Sequence, residues 1–136
     1  MLKYLQSLPK KIIDELPKDQ REVLLMRIYQ DLSFNEIGKD GVMHISNALK
    51  ENTTLTELKL ILNEIGEDGA KYISNALKEN KTITTLDLSS NSIGKDGAMH
   101  ISNALKENKT LTKLDLSKND IGNDGAKYIS KGLKVN

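Results

Sequence analysis

The chain has 136 residues, 20 Lys+Arg against 19 Asp+Glu for a net charge of +1, and no cysteine. A balance this close supplies no broad field for nucleic acid or an anionic membrane, and the lack of cysteine excludes disulfides and thiolate chemistry. The longest apolar runs, such as Val23 to Met26, are too short to span a bilayer, and the first nine residues lack the apolar core of a signal peptide, so the expectation is a cytoplasmic protein. Aromatic residues make up 4% of the chain, a composition poor in ready-made binding anchors.

The N-terminal segment comes first. Pro9 and Pro17 stand at helix starts. One helix is predicted over residues 10–16, with Ile12, Ile13 and Leu16 apolar, and a second over residues 18–29, with Leu24, Leu25 and Ile28 on one side. This segment does not follow the pattern of the rest of the chain, because Arg27 and Gln30 stand where later units have Leu55 and Leu58. Residues 1–30 are therefore read as a helical cap over the open apolar edge of the unit that begins at Asp31.

From Asp31 onward the chain repeats. Asn35, Asn63, Asn91 and Asn119 are each 28 residues apart, as are Leu60, Leu88 and Leu116, with Leu32 in the same column. Gly38, Gly66, Gly94 and Gly122 recur, and so do Gly41, Gly69, Gly97 and Gly125. Within a unit the apolar period changes. Leu86 and Leu88 alternate as in a strand, whereas Ala98, Ile101, Ala104 and Leu105 mark one face of a helix. Asp96 is expected to cap that helix, which should run about three turns, and Asn108 to close it in left-handed backbone. The units fall at about 31–54, 55–82, 83–110 and 111–136. No unit can bury its apolar face alone, so stacking is required, giving an α/β solenoid of four strand–helix units. The asparagine column is expected to form a buried ladder that pairs backbone groups leaving the strands. Losing one such side chain should cost about 1–3 kcal/mol.

These motifs closely resemble the leucine-rich repeats of the ribonuclease-inhibitor subtype, over residues 31–136. The resemblance implies a curved solenoid with a parallel sheet on its concave face, helices on its convex face, and action by protein–protein contact. A double period of 56 residues lies on top. Met43-His44-Ile45-Ser46 matches Met99-His100-Ile101-Ser102, and Lys71-Tyr72-Ile73-Ser74 matches Lys127-Tyr128-Ile129-Ser130. That pattern indicates recent duplication or deliberate assembly, and an engineered or chimeric repeat protein without a natural ligand is one alternative reading.

A second resemblance covers residues 16–37. Leu16-Pro17-Lys18-Asp19-Gln20-Arg21-Glu22-Val23-Leu24-Leu25-Met26-Arg27, followed by Leu32-Ser33-Phe34-Asn35-Glu36-Ile37, is similar to the helix-turn-helix of bacterial sigma factor region four. It implies a turn near Gln30-Asp31, a second helix starting at Ser33, and, as the other alternative, a DNA- or polymerase-binding regulatory module. A recognition helix needs base-reading side chains with phosphate-neutralising neighbours. The next helix along this chain shows Met43, His44 and Asn47 instead, which argues against nucleic acid.

No constellation for catalysis, cofactor or metal is found. His44 and His100 lie two repeats apart, and helix layers spaced about 8–10 Å keep them from sharing a zinc ion. Candidate binding residues lie on the outward strand positions. Tyr29, Glu57, Thr85 and Lys113 form one column, and Asp31, Lys59, Asp87 and Asp115 a second, mainly acidic one. Ile61, in the third column, is followed by Leu62 where later units have Ser-Ser or Ser-Lys, and with Phe34 nearby it predicts an apolar patch. An unknown protein partner is the expected ligand. At the other end Lys131 and Gly132 replace the usual Asn and Ala, and the edge formed by Leu114, Leu116, Ile129 and Leu133 lacks a covering layer. A homodimer through that edge is expected.

Overall fold

The computed structural model describes Glu15, Pro17 and residues 31–135. Apart from Glu15, which is helical, the helices expected at 10–16 and 18–29, and Tyr29 of the first outward column, lie outside the described residues. From Asp31 the elements are α1 (Gly38–Glu51), β1 (Glu57–Lys59), α2 (Gly66–Glu79), β2 (Thr85–Asp87), α3 (Gly94–Glu107), β3 (Lys113–Asp115) and α4 (Gly122–Val135). The strands form one parallel sheet in the order β1-β2-β3, in the register Leu58–Leu86–Leu114. The first unit joins that sheet through a single parallel bridge, Asp31 with Lys59, rather than through a strand. Helices and strands alternate, so the α/β solenoid is formed, and each step of one unit advances one strand and one helix.

The apolar columns explain the packing. Ile45, Ile73 and Ile101 are buried, as are Ala48, Ala76 and Ala104, and Leu49, Leu77 and Leu105. They meet the strand leucines Leu58, Leu60, Leu86 and Leu88 in one continuous core. Each helix is 14 residues long, close to four turns rather than three.

Three local expectations need correction. Asp96 does not cap α3. The helix begins at Gly94, no side chain caps it, and Asp96 lies in the first turn, where its charge favours the helix dipole. A side-chain cap is displaced because the Gly94 amide donates to the Asn119 carbonyl of the next unit at 2.9 Å. Asn108 is extended (φ −76, ψ 128), not left-handed. Its side chain ends the helix instead. Nδ2 donates to the Leu77 carbonyl at 2.8 Å, and Oδ1 accepts from the amides of Thr110 at 2.9 Å and Leu111 at 2.7 Å. Finally, no helix starts at Ser33. Residues 33–37 are the turn of the first repeat, because the Asn35 and Ile37 amides are drawn to Asn63 Oδ1 at 2.9 and 3.4 Å.

Left-handed backbone occurs in the strand-to-helix turn, at alternate positions. Ser90 (φ 57), Ser92 (φ 54) and Gly94 (φ 69) show it in the third unit, and the same three positions show it in each of the others. The glycine three residues further on has a different reason. A Cβ at Gly97 would lie 2.4 Å from Ile93 Cγ2, so the first helical turn can settle on the core only without one. Gly132 lets α4 approach α3. A Cβ there would lie 2.7 Å from the Ser102 carbonyl oxygen, and the Ser102 hydroxyl donates across to the Tyr128 carbonyl.

The asparagine ladder joins the units. Asn91 Oδ1 accepts from the amides of Asn63 at 2.7 Å and Ile65 at 3.5 Å, both in the preceding unit. Asn91 Nδ2 donates to the carbonyls of Leu60 at 2.8 Å, Leu88 at 2.9 Å and Ser89 at 3.0 Å. Asn63 and Asn119 repeat the arrangement, and all three are buried. Asn91→Leu would leave these backbone groups without their amide partner, so it should lower unfolding free energy by about 3 kcal/mol in a urea titration. An unchanged midpoint would remove the ladder as the joint between units.

Candidate functional site: the concave face and its apolar rim

The sheet brings the predicted columns together. Glu57, Thr85 and Lys113 are neighbours in register, as are Asp31, Lys59, Asp87 and Asp115. Glu57, Lys59, Thr85, Asp87 and Asp31 are half-buried, whereas Lys113 and Asp115 are exposed. Lys59 Nζ lies 3.8 Å from Glu57 Oε1, a solvent-accessible pair of little energetic consequence.

The acidic column shapes the backbone as well as the charge. Asp87 Oδ1 accepts from the Ser89 amide at 2.9 Å and hydroxyl at 2.7 Å, and Asp115 Oδ1 accepts from the Ser117 amide at 2.9 Å and hydroxyl at 2.5 Å. These bonds turn the chain out of the strand. Lys59 has no acceptor to offer, so the Ile61 amide donates to Ser33 Oγ of the preceding unit at 3.1 Å. The Ser117 hydroxyl and amide, with Lys113 contributing less, hold the Asp115 carboxyl below its usual range against slight desolvation. A depressed value means that these bonds stabilise the fold above the unfolded-state pKa and are lost as pH falls through the folded one. The group is exposed, so the effect on stability is small. In an NMR titration the Asp115 midpoint should lie below that of a free aspartate and rise in Ser117→Ala. A midpoint indifferent to that substitution would assign the shift elsewhere.

Next to the sheet lies the apolar rim. Phe34 is 68% exposed and Leu62 50% exposed, with Ile61 half-buried beside them. The Phe34 amide donates to the Ile61 carbonyl at 2.8 Å, so the first two units bring these positions to adjacent places on the stack. Phe34 (φ 63) and Leu62 (φ 54) occupy the left-handed turn position that carries Ser90 and Lys118 in the later units. Bulky apolar residues are rare in that conformation, and exposure gives them no burial to offset it. Exposed Glu36 and Glu64 flank the patch. The sequence pointed to this neighbourhood through the break at Ile61-Leu62. It did not rank Phe34 and Leu62 above the strand columns, because their prominence depends on the turn geometry. Leu62→Gly relieves the left-handed strain and sacrifices little buried surface. It should raise unfolding free energy by about 0.5–1 kcal/mol, measured by chemical denaturation. A loss of stability would show that Leu62 serves the fold.

His44 and His100 are half-buried on α1 and α3. No group of three or more metal-ligating side chains occurs among the described residues, and none of their helices is long and apolar enough to cross a membrane.

The chain is similar to proteins of known class. Residues 31–46, 51–74, 79–102 and 107–130 match a family model described as Leucine Rich repeat. A solved structure described as Leiomodin-1 Actin-Binding Site 2 superposes with a TM-score of 0.68 at 30% sequence identity, covering 94% of this chain and 72% of that one. No curated protein sequence matches the chain.

Proposed function

Since the chain belongs to the leucine-rich-repeat family, we propose that it is a non-enzymatic scaffold, of the ribonuclease-inhibitor subtype, that binds a protein partner in the cytoplasm. The contact is the Phe34–Ile61–Leu62 rim, continued by Asp31, Glu57 and Lys59 on the adjoining sheet. One observation carries this reading: the two most unfavourably placed apolar side chains of the repeats stand side by side on the surface. A fold selected for stability alone would carry serine or lysine there, as its own later units do. Partner surfaces favour such aromatic and apolar anchors with a polar rim. Here the rim is acidic, so the partner presents apolar residues with basic neighbours.

Residues 1–30 are read as a structural cap on the first unit, not as a nucleic-acid module. The stretch similar to sigma region four ends in the turn at residues 33–37, where a second helix would have to begin.

Actin is the first partner to titrate, since a similar structure is an actin-binding site. Calorimetry of the full chain with monomeric actin should show binding. Phe34→Ser combined with Leu62→Ser should weaken it at least about tenfold, the loss of roughly 1.4 kcal/mol expected when an anchoring pair is removed. Wild-type chain that does not bind would exclude actin, and a double variant that binds equally well would exclude the rim.

A further inference from the structure

The first three helices are each followed by the same kind of tripeptide. Asn52-Thr53-Thr54 follows α1, Asn80-Lys81-Thr82 follows α2, and Asn108-Lys109-Thr110 follows α3. Asn-x-Thr, with x other than proline, is also the acceptor motif for asparagine-linked glycosylation. In this fold the motif already has another task. Asn80 Nδ2 donates to the carbonyls of Leu49 at 2.8 Å and Asn52 at 3.3 Å, so both of its hydrogens are used. Asn108 Nδ2 is used in the same way, on Leu77 at 2.8 Å and Asn80 at 3.4 Å. Both side chains are buried, with Asn80 2% and Asn108 1% exposed. The threonine belongs to the joint as well. The Thr82 hydroxyl donates to the Leu55 carbonyl at 2.8 Å, and that of Thr110 to the Ile83 carbonyl at 3.2 Å. Asn52 differs. It is half-buried, Thr54 is exposed, and Asn52 Nδ2 meets no carbonyl among the described residues.

We infer that the folded chain can carry an asparagine-linked glycan at Asn52 but not at Asn80 or Asn108, so that it folds and acts only in a compartment without oligosaccharide transfer to asparagine. In that reaction Nδ2 attacks the anomeric carbon of an oligosaccharide held on a lipid pyrophosphate. The N–C bond forms, the C–O bond to pyrophosphate breaks, the lipid pyrophosphate leaves, and one Nδ2 proton is lost to base. At Asn80 and Asn108 that proton is one of the two that hold the end of one helix to the unit before it. The sugar would stand in its place. A glycan is bulky and needs water around its hydroxyls, and here it would enter a space closed by two packed units, leaving a buried carbonyl without its donor. Transfer acts on extended chain, so a chain delivered to such a compartment is modified before its units stack. The conflict is built into the repeat, because the asparagine and threonine that tie each helix end to its neighbour are the residues the transferase reads. This inference uses no property of the Phe34 rim, and it narrows the partner of that rim to proteins of the same compartment.

Directing the full chain into a glycosylating secretory pathway tests this. Expressed behind a signal peptide in a eukaryotic cell, it should acquire glycans, seen as a mobility shift that an N-glycanase reverses. It should be secreted at least about tenfold less than a variant carrying both Lys81→Pro and Lys109→Pro. Proline between the asparagine and the threonine blocks transfer and keeps both hydrogen-bonding side chains. It also suits the backbone, since Asn80 and Asn108 are extended, as residues before proline prefer, and Lys81 and Lys109 are exposed. Made in the bacterial cytosol, the double variant should match the wild-type chain by circular dichroism. In the secretory pathway it should fold with a single glycan, on Asn52. Blocking synthesis of the lipid-linked oligosaccharide should rescue the wild-type chain without any substitution. Secreted wild-type chain that resists protease with glycans on Asn80 or Asn108 would overturn the inference, as would one no better secreted once glycan synthesis is blocked. A double variant misfolded by its Asn52 glycan would overturn the assignment of that site.

Discussion

Each unit hands its unpaired amides to the next unit along the chain, and a buried asparagine side chain receives them. The chain leaves every strand through a turn whose backbone cannot continue the sheet, so those polar groups would be buried without partners. An amide side chain is suited to the task because it carries an acceptor for the amides of the unit before and donors for the carbonyls around it. The ladder of Asn63, Asn91 and Asn119 is therefore what allows the leucine and isoleucine columns to stack without stranding backbone. A second asparagine column does the same at the helix ends. Asn80 and Asn108 each donate to a leucine carbonyl of the preceding unit at 2.8 Å.

Function in a solenoid has a natural place at surface positions freed from the repeat's packing, and the Phe34–Leu62 rim is such a place.

The residues that depart from the repeat are the informative ones. Lys59 stands where Asp87 and Asp115 fix the turn after the strand, and the Ile61 amide compensates by taking the Ser33 hydroxyl. Phe34 and Leu62 stand where serine and lysine adopt the same left-handed backbone. Gly132 stands where alanine fills the other helices, and α4 moves against α3 through Ser102 and Tyr128. Each departure changes one contact and leaves the period intact, because the stacking depends on the columns and not on the outward positions.

Periodicity alone determined the solenoid, the four units, the core columns and the asparagine ladder, since a residue that recurs every 28 positions must meet the same environment in every unit. It also located the break at Ile61-Leu62. Periodicity could not determine how the helices begin and end. Asp96 and Asn108 have the side chains of local caps, yet the groups they were expected to serve are satisfied between units. A local motif such as the one at residues 32–37 was likewise open to two readings. The tertiary structure resolved it as a repeat turn, because Asn63 of the next unit supplies the acceptor. Which outward residues are prominent was decided there too. Exposure and left-handed backbone at Phe34 and Leu62 exist only once the units are stacked and their shared hydrogen bonds are assigned.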